Sequence, residues 1–340
     1  MSYTLIKLDD IPVGKRFDFW WETVAQSVVS VDASSVNSTS FWAEMRTLDL
    51  GTTQLSRVRT SSFDARRTQR RIRQSDTGQY QLSLILRGRS RVRQEYREAT
   101  LRSTDLVLYD TSRPFHASSM ADDTAEMSKR PPKVPSDGFI LQFSRDLLPL
   151  PASSVERLLA VRLSGRKGVA ALLRGMLRQA MQQYDQFSPV EAIRVSTSIL
   201  DLVTALLSRE GGTAPDALLN DPRGVLLLRV KAFIEQRLAD VDLTSEMIAA
   251  AHHVSIRHLQ KLFEQQGLSV ASWIRRRRLE RCRRDLADPG EDGRSVRAIA
   301  ARWGFTNDAH FNRAFRAVHG VPPAAYRRHL QESREAALVR

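Results

Sequence analysis

The sequence holds a single cysteine, Cys282, in 340 residues. That excludes a disulfide framework and points to a reducing compartment. Histidine is scarce where metal chemistry would need it, because His116 is the only one in the amino-terminal half. A site built from two or three convergent histidines is therefore not expected there, and neither a metal nor another cofactor is. Nowhere do 18 apolar residues run together, so no membrane span is expected. The start, MSYTLIKLDDIPVGKRF, has acidic residues where a secretory apolar region would run. The expectation is a soluble, cytoplasmic protein.

Positive charge is abundant: 52 Lys and Arg stand against 38 Asp and Glu, a net +14. Residues 221–330 hold twenty of those bases against twelve acids, so more than half of the excess lies in under a third of the chain. A concentrated basic excess is the electrostatic footprint of a polyanion partner, most often nucleic acid. The basic run ARRTQRRIRQ (65–74) lacks interleaved aromatics and is expected to be a solvated loop or strand edge.

Length and patterning give two or three domains. Residues 45 to about 145 read as short strands: YQLSLILRG (80–88) is apolar, and GFILQF (138–143) resembles a last strand. TSRPF and KRPPKVPSDG are breaks between them. Close strand spacing without long helices suggests an antiparallel barrel or sandwich over 1–150. Residues 151–210 then read as a helical hairpin. VAALLRGMLRQAMQQY puts Val169, Leu172, Leu173, Met176, Leu177, Ala180 and Tyr184 on one stripe, and a second helix starts at Pro189. That hairpin is expected to pack on the barrel or on a second subunit. Residues 211–224 are a linker by composition, and 331–340 are a tail.

The stretch 225–330 reads as nearly all helix and repeats itself. IAAAHHVSIRHLQKLFEQQG and IAARWGFTNDAHFNRAFRAVHG match in kind, with Leu259 and Phe311, and Phe263 and Phe315, each 52 residues apart. Each copy is a short helix, a tight turn and a second amphipathic helix, the helix-turn-helix pattern present twice. In such a unit the second helix enters the major groove and presents mixed hydrogen-bonding groups to base edges. With Leu259, Leu262 and Phe263 inward, Arg257, His258, Gln260 and Lys261 face outward. With Phe311, Ala314, Phe315 and Val318 inward, Asn307, Asp308, His310, Asn312, Arg313 and Arg316 do. Between the units, SVASWIRRRRLERCRRDL (269–286) forms a long helix with Trp273, Ile274, Leu279, Cys282 and Leu286 inward. Its Arg275–Arg278 run, Arg276 included, is a candidate for phosphate contact.

The tandem units, the IRRRRLERCRRDL helix and the closing FNRAFRAVHGVPPAAYRR resemble the DNA-binding domain of AraC/XylS-family transcription regulators over Val225–Arg328. By position, the resemblance places Arg257, His258, Gln260 and Lys261 on the first recognition helix, and Asp308, Ala309, Asn312 and Arg313 on the second. It departs in the shorter interval from Phe263 to Gly267 than from Phe315 to Gly320. YQLSLILRGRSRVRQEYREATLRSTDLVLYDTSRPFHA similarly resembles the cupin-like regulatory domain of the family. The resemblance implies an α+β chain: a cupin-like β-barrel with a helical dimerisation hairpin, then an all-α domain of two helix-turn-helix units joined by a long helix. It also implies a sequence-specific regulator, an activator by family habit, located on the nucleoid. Its partners would be double-stranded DNA, a small-molecule effector, a second copy in a homodimer, and RNA polymerase.

Arg59, Tyr80, Tyr109, Arg113 and His116 are the effector-pocket candidates, with arginine suited to a carboxylate. Two other readings weigh less: a cupin-type enzyme needs histidines that the amino-terminal half lacks, and a DNA-repair alkyl acceptor needs a reactive cysteine in a separate site, whereas Cys282 falls inside the connecting helix, so an enzyme is not expected.

Overall fold

Period-two alternation builds the amino-terminal half as two antiparallel sheets. The structure, a computed structural model, describes residues 3–36, 38–75, 78–120, 135–211, 222–264 and 269–339. Its strands are β1 (Tyr3–Lys7), β2 (Asp32–Ser34), β3 (Ala43–Asp49), β4 (Thr53–Thr60), β5 (Phe63–Arg67), β6 (Gln79–Arg87), β7 (Arg89–Gln94), β8 (Arg97–Leu101), β9 (Asp105–Asp110), β10 (Phe115–Met120), β11 (Ser136–Ser144) and β12 (Leu163–Ser164). One sheet runs β1-β3-β4-β11-β6-β9-β12 and the other β2-β5-β10-β7-β8. Val107 and Tyr109 from the first share a core with Val92, Leu101 and Phe115 from the second. On β7 the alternation is plain: Val92 and Gln94 are buried, while Arg89, Arg91 and Arg93 are exposed. Central β6 is instead buried continuously from Gln79 to Leu84, as expected of a strand covered on both faces.

Helix α1 (Arg16–Ser27) and strands β1 and β2 precede the region where strands were expected. Trp20 and Val24 of α1 bury against Leu8, Phe41 and Met45. Short helices α2 (Gln69–Ser75) and α3 (Ala152–Glu156) follow. The basic run 65–74 is thus the end of β5 and most of α2. Within it Arg67 is buried, donating to the carbonyls of Ser30, Ser75 and Thr111. The break KRPPKVPSDG lies mostly outside the described residues.

Helices α4 (Gly168–Gln182) and α5 (Pro189–Glu210) pack as a hairpin, with α4 against β4. Ser196 of α5 bonds the hydroxyls of Thr52 and Thr53, fixing it to the start of β4, the strand that α4 packs on. Ser188 and Glu191 form a reciprocal capping box at the start of α5, with Pro189 in its first turn. Leu172 departs from its expected stripe and is exposed, the buried positions being Ala170, Leu173, Leu177, Ala180 and Met181. Tyr184 falls past the end of α4 and stacks on Tyr3 at 3.8 Å. Most of the linker, 212–221, lies outside the described residues.

The chain divides into two compact units, Met1–Asn220 and Asp221–Arg340. The second is helical: α6 (Pro222–Gln236), α7 (Ser245–Ala251), α8 (Ile256–Glu264), α9 (Val270–Ala287), α10 (Val296–Arg302), α11 (Asp308–His319) and α12 (Pro323–Val339). The stretch expected as a tail continues α12. The long α9 starts in a box between Ser269 and Ser272 and packs on α8, α10 and α12. Its 18 residues span about 27 Å. No helix among the described residues is long and apolar enough to cross a membrane.

Candidate nucleic-acid interface

Each half of the helical unit is a short helix, a left-handed turn and a capped second helix. The two turns are built alike. Val254 N–H donates to Ala249 O and Phe305 N–H to Ala300 O, both at 3.0 Å. His253 and Gly304 sit at the same step with positive φ. Ser255 Oγ then caps α8 by accepting from His258 N–H at 3.1 Å, and Asn307 Oδ1 caps α11 by accepting from His310 N–H at 2.8 Å. The side-chain oxygen of Asn307, read as an outward-facing group, is therefore engaged in starting its helix.

The buried faces fix which residues look outward. Leu259, Leu262 and Phe263 are buried on α8. On α11 Phe311 and Phe315 join Leu279, Cys282, Leu286, Ile299 and Phe305 in one core. Burying each phenylalanine contributes about 2–3 kcal/mol. Val318, expected inward, is 51% exposed, because the stripe ends at Phe315 and His319 takes the last inward turn.

Arg257, His258, Gln260 and Lys261 are all exposed, as are Asp308, Ala309, His310, Asn312, Arg313 and Arg316. Asp308 forms an exposed ion pair with Arg297 at 3.6 Å. Each helix thus presents amide and cationic donors on a rigid apolar backing. Such a set can reach bases and phosphates together.

The arginines of α9 divide differently from expectation. Arg275 is exposed, and Arg276 is half-buried with protein partners of its own. Arg277 and Arg281 are buried on Glu235 of α6, Arg281 at 3.1 Å. Arg278 is fixed on backbone carbonyls. Glu235, itself buried, requires the compensating charge, which turns two arginines inward. Burial opposes ionisation of Glu280, yet Arg283 and Arg284 hold its carboxyl well below the usual range. Cys282 is fully buried in the second core, where burial pushes its thiol far up.

The five effector candidates do not converge. Arg59 lies 3.6 Å from Glu44 and over the Trp42 ring. Tyr80 is buried edge-on to Phe143. Arg113 pairs with Glu95 and Glu156, and His116 with Asp64 at 2.6 Å. Tyr109 alone lines a cavity of about 90 Å³ between the two sheets. Burial pushes its hydroxyl up to about 12, against a bond to Ser83 that acts the other way. The walls include Phe63, Ile85, Val92, Ala117 and Phe139, with Arg87, Ser90 and Ser136 among the polar lining. Sequence reasoning missed these. The available clue was same-face alternation through Ser83, Ile85 and Arg87, and through Ser90 and Val92, rather than titratable side chains. Among the described residues no three His, Cys, Asp or Glu cluster as metal ligands would.

Two family models match the chain: an AraC-binding-like domain over residues 20–208 and a helix-turn-helix domain over 248–329. The transcriptional activator NphR of a Rhodococcus species is 30% identical over 289 residues, 85% of this chain and 81% of its own. A protein from the nit 5′ region of Bacillus sp. (strain OxB-1) is 26% identical over 263 residues, 76% of this chain and 96% of its own. The crystal structure of the AraC-like transcriptional activator CuxR superposes with a TM-score of 0.52 at 22% identity, covering 82% of this chain and 94% of that one. The last comparison shows the shared fold.

Proposed function

The chain belongs to the AraC-like family of DNA-binding transcription regulators, and on that premise we propose that it activates transcription by reading two adjacent major-groove segments under control of a small effector. The observation that carries this reading is the pair of exposed donor faces on α8 and α11. Gln260 and Asn312 suit adenine, Arg257 and Arg313 suit guanine or phosphate, and Lys261 and Arg316 suit phosphate. A binder of DNA in bulk would need only cations. Asp308 and Ala309 at the start of α11 complete the proposed second reading surface, and Arg276 adds a backbone contact from α9.

The effector site is the cavity between the sheets. Its walls are mainly apolar, with hydroxyls at intervals and Arg87 and Asp137 in the lining, which favours a compact molecule with an apolar body and a hydrogen-bonding end. The working form is a homodimer that contacts RNA polymerase. No catalytic step is ascribed to it. The test is Arg313→Ala measured on the protein's preferred duplex and on unrelated duplex. Base reading predicts a loss of about 1–3 kcal/mol on the preferred duplex alone. Equal loss on both would reject base reading by Arg313.

A further inference from the structure

Two helices can enter neighbouring groove segments together only if their separation matches one DNA turn, roughly 34 Å. The apolar contacts of α9 serve each unit separately. Trp273 packs edge-on to Phe263 of the first unit at 6.0 Å. Leu279, Cys282 and Leu286 belong to the core of the second. Arg278 lies between these two patches, and it touches both units.

Its guanidinium fork meets three backbone carbonyls. Nε donates to Leu238 O at 3.0 Å, and Nη2 donates to Asp240 O. Both acceptors lie in the loop that leads into the first helix-turn-helix. Nη1 donates to Gly304 O at 3.2 Å, in the turn of the second. The contact is close enough that a Cβ on Gly304 would stand 2.6 Å from Arg278 Cζ. Arg281, one turn along α9, repeats the bridge by joining Glu235 of α6 and lying 5.6 Å over the Trp303 ring.

We propose that Arg278 is a positioning residue that fixes the spacing of the two reading helices, so that it sets the separation of the two DNA blocks without touching DNA. The inference rests on the two-segment reading above. A planar fork is what three divergent carbonyls require, and lysine, with one compact ammonium, cannot replace it. Charge and geometry are thereby separable.

The experiment uses the full chain and a duplex that the wild-type protein selects from a random pool. Three derivatives accompany it: one block scrambled, one base pair inserted between blocks, and one removed. Wild type is expected to lose about tenfold on either spacing change, comparable to a mismatched base pair. Arg278→Lys, which keeps the charge, is expected to lose about tenfold on the parent duplex. It should then show little further loss on the altered spacings and unchanged binding to the one-block duplex. Thermal melting checks the fold. Gly304→Ala reaches the same contact from the other side, by displacing the guanidinium, and should flatten the spacing profile likewise. Variants that keep the wild-type spacing profile, or lose equally on one-block and two-block duplexes, would overturn the proposal. A wild-type protein indifferent to spacing would instead overturn the two-segment reading, and this inference with it.

Discussion

His253 and Gly304 occupy the same step of the two helix-turn-helix turns, with φ of 54° and 75°. A non-glycine residue in the left-handed region costs on the order of 1 kcal/mol. His253→Gly should therefore raise the stability of the helical unit by up to about 1 kcal/mol, allowing for the greater freedom of glycine in the unfolded chain. Gly304→Ala should lower it by more than that, since backbone strain adds to the collision with Arg278. Urea unfolding of the two variants checks the opposite signs.

Glu235 is the buried anion on which Arg277 and Arg281 depend. Glu235→Ala removes the carboxylate that both buried arginines bond, and a loss of about 3–5 kcal/mol is expected. Arg275→Ala on the exposed side of the same helix should change stability by less than about 0.5 kcal/mol. Comparable losses in the two variants by chemical denaturation would contradict this division of the arginine run.

His319 sits on the Phe315 ring at 4.4 Å, beside Arg283 and Glu280. Burial and Arg283 pull its pKa down to about 4, with Glu280 acting the other way. Between the ordinary value near 6.5 and 4, the unfolded chain takes a proton that the folded chain refuses. Stability is thus lost as pH falls through that window, by about 1–2 kcal/mol from pH 7 to 5 through this residue. His319→Gln should remove that part of the pH dependence, as read from unfolding midpoints at the two pH values.

Ala117 contributes one of the smallest side chains to the cavity wall. Ala117→Phe fills the space between the sheets. The expected outcome is a regulator that binds DNA as before but no longer responds to its effector in a promoter-reporter assay. Retained induction would place the effector elsewhere.

The helical unit was the more legible part of the sequence, because the 52-residue repeat fixed which face of each reading helix was apolar. Leu259 with Phe263, and Phe311 with Phe315, landed in the core for that reason. The arginines of α9 were not legible. Their direction depends on Glu235, which lies 42 residues before Arg277 and carries no local mark of burial. Strands β6 and β11 could be read from their apolar runs, whereas α1 mixes aromatic and charged residues and acquires its inward face only against Phe41 and Met45. The cavity escaped for a related reason. Its lining comes from strands of both sheets, and the conspicuous Arg113 and His116 are taken up by carboxylates outside it.

On the proposed reading, α8 and α11 contact bases in two adjacent segments. Selection of duplexes from a random pool by the purified full chain, followed by binding of the winner across a salt series, tests it most directly. Two enriched blocks about one helical turn apart are expected, with affinity falling as salt rises. Salt-sensitive binding with no block enriched would contradict that reading.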